Sequence, residues 1–337
     1  MKQKIASLFP YVGGKTKLAE VLCQTIMETL DAHPEITTFS EICGGGGRVI
    51  LNLPRRGRQI YSDFNPCFGY LFWAVSDRER VAELIHALEQ IPVTREKYEE
   101  LYIVYKEWAN HIKPIEDPIK CAAYTYFLTH MAFNGRVGIP GFYSKQEGMR
   151  VRDEQEDLKN IEGYWRSFER LSEFPDILQG VEFWYGDCRR YLLECNSPKY
   201  LHYIDPPYLK NNYLPKVILD KMEKQKGDDF TYHNIVDRIP DEKIKDINNG
   251  EEVFKNSYDI GLRGDYTSGI TLRLHMDIVN LAKESKSRII LSGYTNGVYD
   301  YLLEHPNWRR IKLSEQAVVS SSKKIKDLET EYIWLNF

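Results

Sequence analysis

The sequence contains no Cys-x-x-Cys pair, no apolar run long enough to cross a bilayer, no apolar leader and no excess of positive charge, and each absence removes a class of function. Its six cysteines, Cys23, Cys43, Cys67, Cys121, Cys188 and Cys195, are scattered and lack the Cys/His spacing of a zinc site. No metal centre or disulfide framework is therefore expected, and the thiols suit a reducing compartment. No apolar stretch approaches the roughly 18 residues of a membrane span, and the opening "MKQKIASLFPYVGGK" lacks the core of a signal peptide. A cytoplasmic protein with no membrane partner is the expectation. A formal net charge of -4 over 337 residues argues against a uniformly basic coat for nonspecific nucleic-acid binding. Two local clusters remain: Arg55, Arg56 and Arg58 within one turn, and Arg309, Arg310, Lys312, Lys323, Lys324 and Lys326 against the single acid Glu315. Either cluster suits phosphate contact or a plain solvated face.

What is present is an ordinary globular composition, 42% hydrophobic, with 23 tyrosines and 13% aromatic residues overall. Rings in that number serve a core first and can also stack on bases. The stretch Leu18 to Ala32 has helical apolar spacing. "TTFSEICGGGG" then reads as strand and glycine loop, "RVILNL" as helix, and "RQIYSDFNP" as a second strand ending in an acid. That alternation favours a parallel sheet. From Pro66 to about Gly180 helical patterns dominate, interrupted by "FNGRVGIPGFYSKQEGMRV", whose glycine and proline turns read as a hairpin. Strands resume at "VEFWYGD", "YLHYIDPPY" and "SRIILSGYTN", with "TLRLHMDIVNLAKES" as a helix before the last of these and "ETEYIWLNF" as a closing edge strand. The polar stretch 209–264 is too long for an ordinary loop and reads as an excursion. Oligomeric state leaves no mark in the sequence.

Three motifs carry chemistry. The first is "FSEICGGGGRVILN", a glycine-rich turn between a strand and a helix that lets backbone amides approach a ligand. It lacks the full G-x-G-x-x-G phosphate fingerprint. About 20 residues on, Asp63 ends the next strand, where an acid accepts hydrogen bonds from ribose hydroxyls, so an adenosine-containing cofactor fits. "YVGGKT" imitates the end of a P-loop, but Phe9 stands where the first glycine is required, which excludes that reading. The third motif is Asp205, Pro206, Pro207 and Tyr208, at the end of an apolar strand. A planar exocyclic amine lying on Tyr208, with its N–H groups accepted by Asp205 and a neighbouring carbonyl, loses conjugation and becomes nucleophilic. The proline pair keeps those acceptors in register.

"FPYVGGKTKL", "FSEICGGGG", "IYSDFNP", "GDC" and "YIDPPY", in this order, resemble the adenine-specific DNA methyltransferases related to Dam. The resemblance implies an S-adenosylmethionine-dependent enzyme with an α/β, Rossmann-like seven-stranded methyltransferase sheet. It also implies a division into a catalytic domain, 1–66 and 181–337, and an inserted helical target-recognition subdomain, 67–180, carrying the hairpin. Carried over by residue, Tyr11, Gly13, Gly14 and Lys15 match the N-terminal cofactor motif, with Lys15 also near DNA. Glu41, Gly45 and Gly47 match the loop around the methionine end of the cofactor, Asp63 the ribose acid, Asp187 the acid that reaches the cofactor adenine, and Asp205 to Tyr208 the catalytic motif, whose Asp205 also belongs to the cofactor site. The family commonly has Pro and Phe where this chain has Ile42 and Cys43. Phe133, Asn134 and Arg136 in the hairpin are the expected contacts to double-stranded DNA, Arg136 through a guanine edge. The implied reaction is methyl transfer to N6 of a flipped adenine. Transfer to the N4 amine of cytosine, methylation of RNA or of a protein amide, and a catalytically silent DNA-binding module are the alternatives.

Overall fold

A computed structural model of the chain describes residues 7–11, 18–132, 137, 154–207, 272–318 and 327–337. Seven strands form one sheet: β1 (Thr38–Ile42), β2 (Arg58–Asp63), β3 (Val181–Tyr185), β4 (Tyr200–Ile204), β5 (Arg288–Tyr294), β6 (Arg309–Val318) and β7 (Asp327–Leu335). Their order is β3-β2-β1-β4-β5-β7-β6. Counting outward from β1, the chain first builds one side of the sheet and then the other, so the direction of winding reverses between β1 and β4. In open α/β sheets ligands bind at that reversal, beyond the carboxyl ends of the strands. Among the described residues no helix is long and apolar enough to cross a membrane. No cysteine is in a disulfide.

The described residues fall into two compact units. The first holds the chain up to Cys23 and Gly44–Gly186, and the helices expected after Pro66 are all there. After α1 (Ala19–Ala32) they run as α2 (Pro66–Val75), α3 (Arg78–Glu89), α4 (Arg95–Ala109), α5 (Pro118–Met131), α6 (Glu154–Ser167), a 3-10 turn (Phe168–Glu173) and α7 (Phe174–Leu178). Their starts are written in the sequence. Asn65, Asp77, Thr94 and Asp117 each accept a hydrogen bond from a first-turn amide, and Pro66 and Pro118 occupy first-turn positions where no amide donor is needed. α5 is buried over most of its circumference, so it reads as apolar all round rather than amphipathic. Its Thr125 and Thr129 hydroxyls are satisfied by the carbonyls of Cys121 and Thr125, at 2.7 and 2.8 Å. α2 lies on β2 and β3 through Phe72, whose ring is 4.3 Å from Tyr61 and 6.3 Å from Phe183. Arg58 and Glu182 pair across the same two strands at 2.5 Å, an exposed contact worth roughly 1 kcal/mol or less. Arg55 donates to Gln59 and to the Gln179 carbonyl. Arg55 and Arg58 of the first basic cluster are thus engaged within the protein.

The second unit holds Gln24–Cys43 and the described residues from Asp187 to Phe337. Strands β1, β4 and β5 are parallel neighbours and nearly continuous in burial, as a strand covered on both faces must be. The helices are α8 (Cys188–Glu194), α9 (Leu272–Glu284) and a short α10 (Gly297–Asp300). One polar pair in this core joins neighbouring strands: Ser40 meets His202 at 2.6 Å, and burial pushes the imidazole down to about 4, so it stays neutral.

Two expectations fail. "RVILNL" folds as successive turns rather than a regular helix, because the glycine run ahead of it takes positive φ at Gly45 (+47°) and Gly47 (+59°), and Pro54 closes the segment one residue beyond it. "ETEYIWLNF" is no edge strand. It forms most of β7, which lies between β5 and β6 and is antiparallel to both, with Trp334 fully buried 5.2 Å from Tyr299. The edge belongs to β6, a strand the sequence disguised as a basic cluster. Its Arg310 pairs with Asp300 at 2.6 Å and lies over the Tyr332 ring, and charge at an edge discourages pairing with other chains. The expected hairpin and the excursion 209–264 lie outside the described residues.

Candidate active site

The glycine loop begins where β1 ends. Cys43 turns the chain with φ +58°, a left-handed conformation that costs a non-glycine residue roughly 1 kcal/mol. In the first unit, Gly44 N donates to the Ser62 carbonyl at 3.0 Å and Gly47 N to the Gly44 carbonyl at 2.8 Å. Tyr61 Oη donates to the Gly45 carbonyl at 2.7 Å. The glycines are required by contact as well as by dihedral angle: a Cβ on Gly45 would stand 2.4 Å from Tyr11 Cε1, and one on Gly47 would stand 2.4 Å from Phe72 Cζ. Tyr11 itself packs edge-on to Phe9 and Phe68 at 6.0 and 5.5 Å, so the loop is pressed between aromatic rings.

Asp63, the last residue of β2, faces the same loop. Its Oδ2 accepts from Gly45 N and its Oδ1 from Asn65 N, both at 2.9 Å. Burial raises its pKa to about 6, although both amide bonds work in the opposite direction. A carboxylate has about four acceptor sites, and Asp63 fills two of them with no cation beside it among the described residues. That shortage suits a neutral ligand bringing two hydroxyl donors, such as a ribose. The residues present therefore fit the nucleoside half of an adenosine cofactor.

In the second unit, Ile42 and Ile204 are register partners at the ends of β1 and β4. Asp205 follows directly, its amide donating to the Ile42 carbonyl at 3.1 Å. The strand pairing thus continues one residue into the Asp-Pro-Pro motif before Pro206, which is buried and has no amide to donate, ends it. Asp205 Oδ1 accepts from Ser292 Oγ of β5 at 2.7 Å. Glu41 is buried within β1, opposite Tyr203.

Asp187 caps α8, its Oδ1 accepting from Arg189 N at 2.8 Å. Arg189 is buried and grips Asp187 through Nε, at 3.0 Å to each oxygen, and through Nη2. Its Nη1 reaches Asp277 of α9 at 2.9 Å. Burial works to lower the pKa of this guanidinium, but the bonds and charge of Asp187 outweigh it and raise it. Sequence reasoning reached Asp187 and missed Arg189, Asp277 and Ser292. The arginine two residues after a capping acid was a usable signal for the first of these. Gly13, Gly14, Lys15, Phe133, Asn134, Arg136 and Tyr208 lie outside the described residues.

The sequence profile of the D12 class N6 adenine-specific DNA methyltransferases matches residues 11–258, a span running from Tyr11 past the glycine loop, Asp63, Asp187 and Asp205. The chain belongs to this family. No curated protein matches the chain. The protein is an enzyme that methylates adenine in DNA, so of the exocyclic amines left open above the adenine amine is the substrate and the silent module is set aside. A methyl donor and DNA are both implied by that activity. Strands β5 to β7 lie beyond the matched span and complete the sheet.

Proposed function

We propose that the methyl donor is S-adenosylmethionine and that the substrate is double-stranded DNA, from which one adenine is flipped before reaction. The observation that carries the cofactor reading is Asp63, buried, short of donors among the described residues and hydrogen-bonded to the Gly45 amide of the glycine loop. In this reading Asp63 accepts from the ribose hydroxyls, Tyr11, Gly13, Gly14, Lys15, Glu41, Gly45 and Gly47 line the rest of the cofactor site, and Asp187 accepts from the cofactor adenine. When bound, S-adenosylmethionine supplies a methyl group on a positively charged sulfur.

The protein's own part is to make the amine reactive. Asp205 accepts an N–H of the target amine and draws the nitrogen lone pair out of conjugation with the base. Once N6 carries the methyl group it must lose a proton, and Asp205 receives it or passes it on. Pro206 and Pro207 hold the acceptors still, and Tyr208 stacks on the base. Flipping costs a few kcal/mol, of which stacking returns roughly 1–3 kcal/mol. Phe133, Asn134 and Arg136 read the DNA from a recognition subdomain, 67–180, set into a catalytic domain of 1–66 and 181–337. Thiols without disulfides suit a cytoplasmic setting.

The test is transfer of labelled methyl from S-adenosylmethionine to duplex and single-stranded DNA, followed by nucleoside mass analysis. N6-methyladenine formed preferentially in duplex is expected. Asp205→Ala should lower turnover on the order of a hundredfold or more while sparing cofactor binding in part. No transfer from S-adenosylmethionine, or near-normal turnover by the variant, would overturn the reading.

A further inference from the structure

Strand register brings a chain of two hydroxyls to the reacting corner. Tyr203 pairs with Ile290 and Ile204 with Leu291, so the next step along the two parallel strands sets Asp205 beside Ser292. With a period of two, Tyr203 and Asp205 share one face of β4, and Ile290 and Ser292 share that face on β5. Ser292 is fully buried and directly follows Ile289, Ile290 and Leu291 in the strand, and a hydroxyl there is costly unless it is bonded. Its oxygen lies 2.7 Å from Asp205 Oδ1, 3.2 Å from Tyr203 Oη and 3.4 Å from the Ile204 carbonyl.

A serine has one proton to give. The short distance to a carboxylate oxygen marks where it goes, since bonds to charged acceptors are the shorter and stronger kind. Having donated to Asp205, Ser292 can only accept from Tyr203, so the phenol must be the donor in that pair. All protons in the chain therefore point one way, from Tyr203 to Ser292 to Asp205, and each bond polarises the next.

We propose that Ser292 is a positioning residue for the methyl transfer, backed by Tyr203, and that this relay fixes the carboxylate of Asp205 in the rotation at which it accepts the target amine. The inference rests on Asp205 being the group that engages the amine. Neither hydroxyl touches the reacting atoms. Their effect is on how fast bound substrate reacts, and it is absent from the affinity for cofactor or DNA.

The experiment measures kcat, cofactor KM and DNA affinity for Ser292→Ala, Ser292→Thr, Tyr203→Phe and Asp205→Ala, with melting curves to establish folding. Ser292→Ala should lose about 10- to 100-fold in kcat, the equivalent of one hydrogen bond to a charged group, with KM and DNA affinity within about threefold. Ser292→Thr keeps the hydroxyl and should recover most of that loss, which a packing defect would not allow. Tyr203→Phe should show a smaller loss of the same kind, and it tests the relay even if the alanine variant folds poorly. Combining Ser292→Ala with Asp205→Ala should add nothing to the Asp205→Ala loss. If Asp205→Ala is inactive and folded Ser292→Ala keeps its kcat within twofold, the relay is wrong and the role of Asp205 stands. If Asp205→Ala itself keeps normal turnover, the parent reading fails, and the relay with it.

Discussion

Replacing Arg189 with methionine tests how the second unit tolerates its buried charge. Arg189 is 1% exposed, and Asp187 and Asp277 are 8% and 7% exposed at their side chains. Four contacts of 2.5–3.0 Å tie the guanidinium to the two carboxylates. Methionine approximates the volume of the arginine stem but leaves two carboxylates facing each other without a cation. Breaking a buried ion pair by removing one partner costs about 3–5 kcal/mol, a large share of the roughly 5–15 kcal/mol that holds a typical protein folded. The expected outcome for Arg189→Met is a loss of about 3–5 kcal/mol in urea denaturation followed by circular dichroism. Adding Asp277→Leu to that variant removes one of the stranded charges and should recover part of the loss, with a coupling of about 1–3 kcal/mol. A loss under about 1 kcal/mol for Arg189→Met, or no recovery in the double variant, would show that water reaches these carboxylates and that the triad is not a buried unit.

The pKa of Asp63, raised from the ordinary 3.8 to about 6, sets a pH dependence. Between those values the folded protein holds a proton that the unfolded chain has released, so stability falls as pH rises, by about 3 kcal/mol across the interval. Asp63→Asn should abolish that slope in denaturation curves recorded from pH 4 to 7, and an unchanged slope would assign it to other groups. Gly45→Ala demands a left-handed alanine and displaces the Tyr11 ring, so cofactor affinity measured by calorimetry should fall about tenfold or more; unchanged affinity would remove Tyr11 and Gly45 from the binding site. Asn65→Ala removes the cap of α2 and the 2.7 Å bond from Asn65 Nδ2 to Tyr105 Oη, and should cost about 2 kcal/mol by thermal or urea denaturation.

The parts legible in the sequence were those fixed by neighbours along the chain. β1, β2 and β4 were readable because each is a short run with β-prone residues at its centre stopped by glycine, an acid or proline, and the helices after Pro66 announced themselves by caps such as Asp77 and Thr94. The failures share a cause. Apolar spacing in "RVILNL" matched a helix, but backbone geometry at Gly45 and Gly47 decided otherwise. Nothing local in "WRRIKLSEQAV" or "ETEYIWLNF" states which strand of a terminal hairpin inserts beside β5; that is settled by the burial of Trp334 against Tyr299 and by where charge is tolerable. The proposed site behaves likewise. Asp63, Asp187 and Asp205 could be found because each is an acid where a strand runs out. Ser292 could not, because it meets Asp205 across 87 residues and only strand register brings them together.

These three acids stand in comparable places and are held in different ways, and the difference suits what is proposed for each. Asp187 faces a guanidinium, which holds its oxygens in place as fixed acceptors for a flat, neutral edge. Asp63 is held by two backbone amides, with no cation beside it among the described residues, and its remaining acceptor sites are attractive to hydroxyl donors. Asp205 is held by a hydroxyl on β5. A hydroxyl orients a carboxylate without cancelling its charge, whereas a guanidinium in the same place would draw off the electron density that polarises an amine and oppose the arrival of a proton. Exchanging Ser292 for a cationic residue would therefore suppress transfer more severely than deleting the hydroxyl, even if the new side chain fitted without disturbing the sheet.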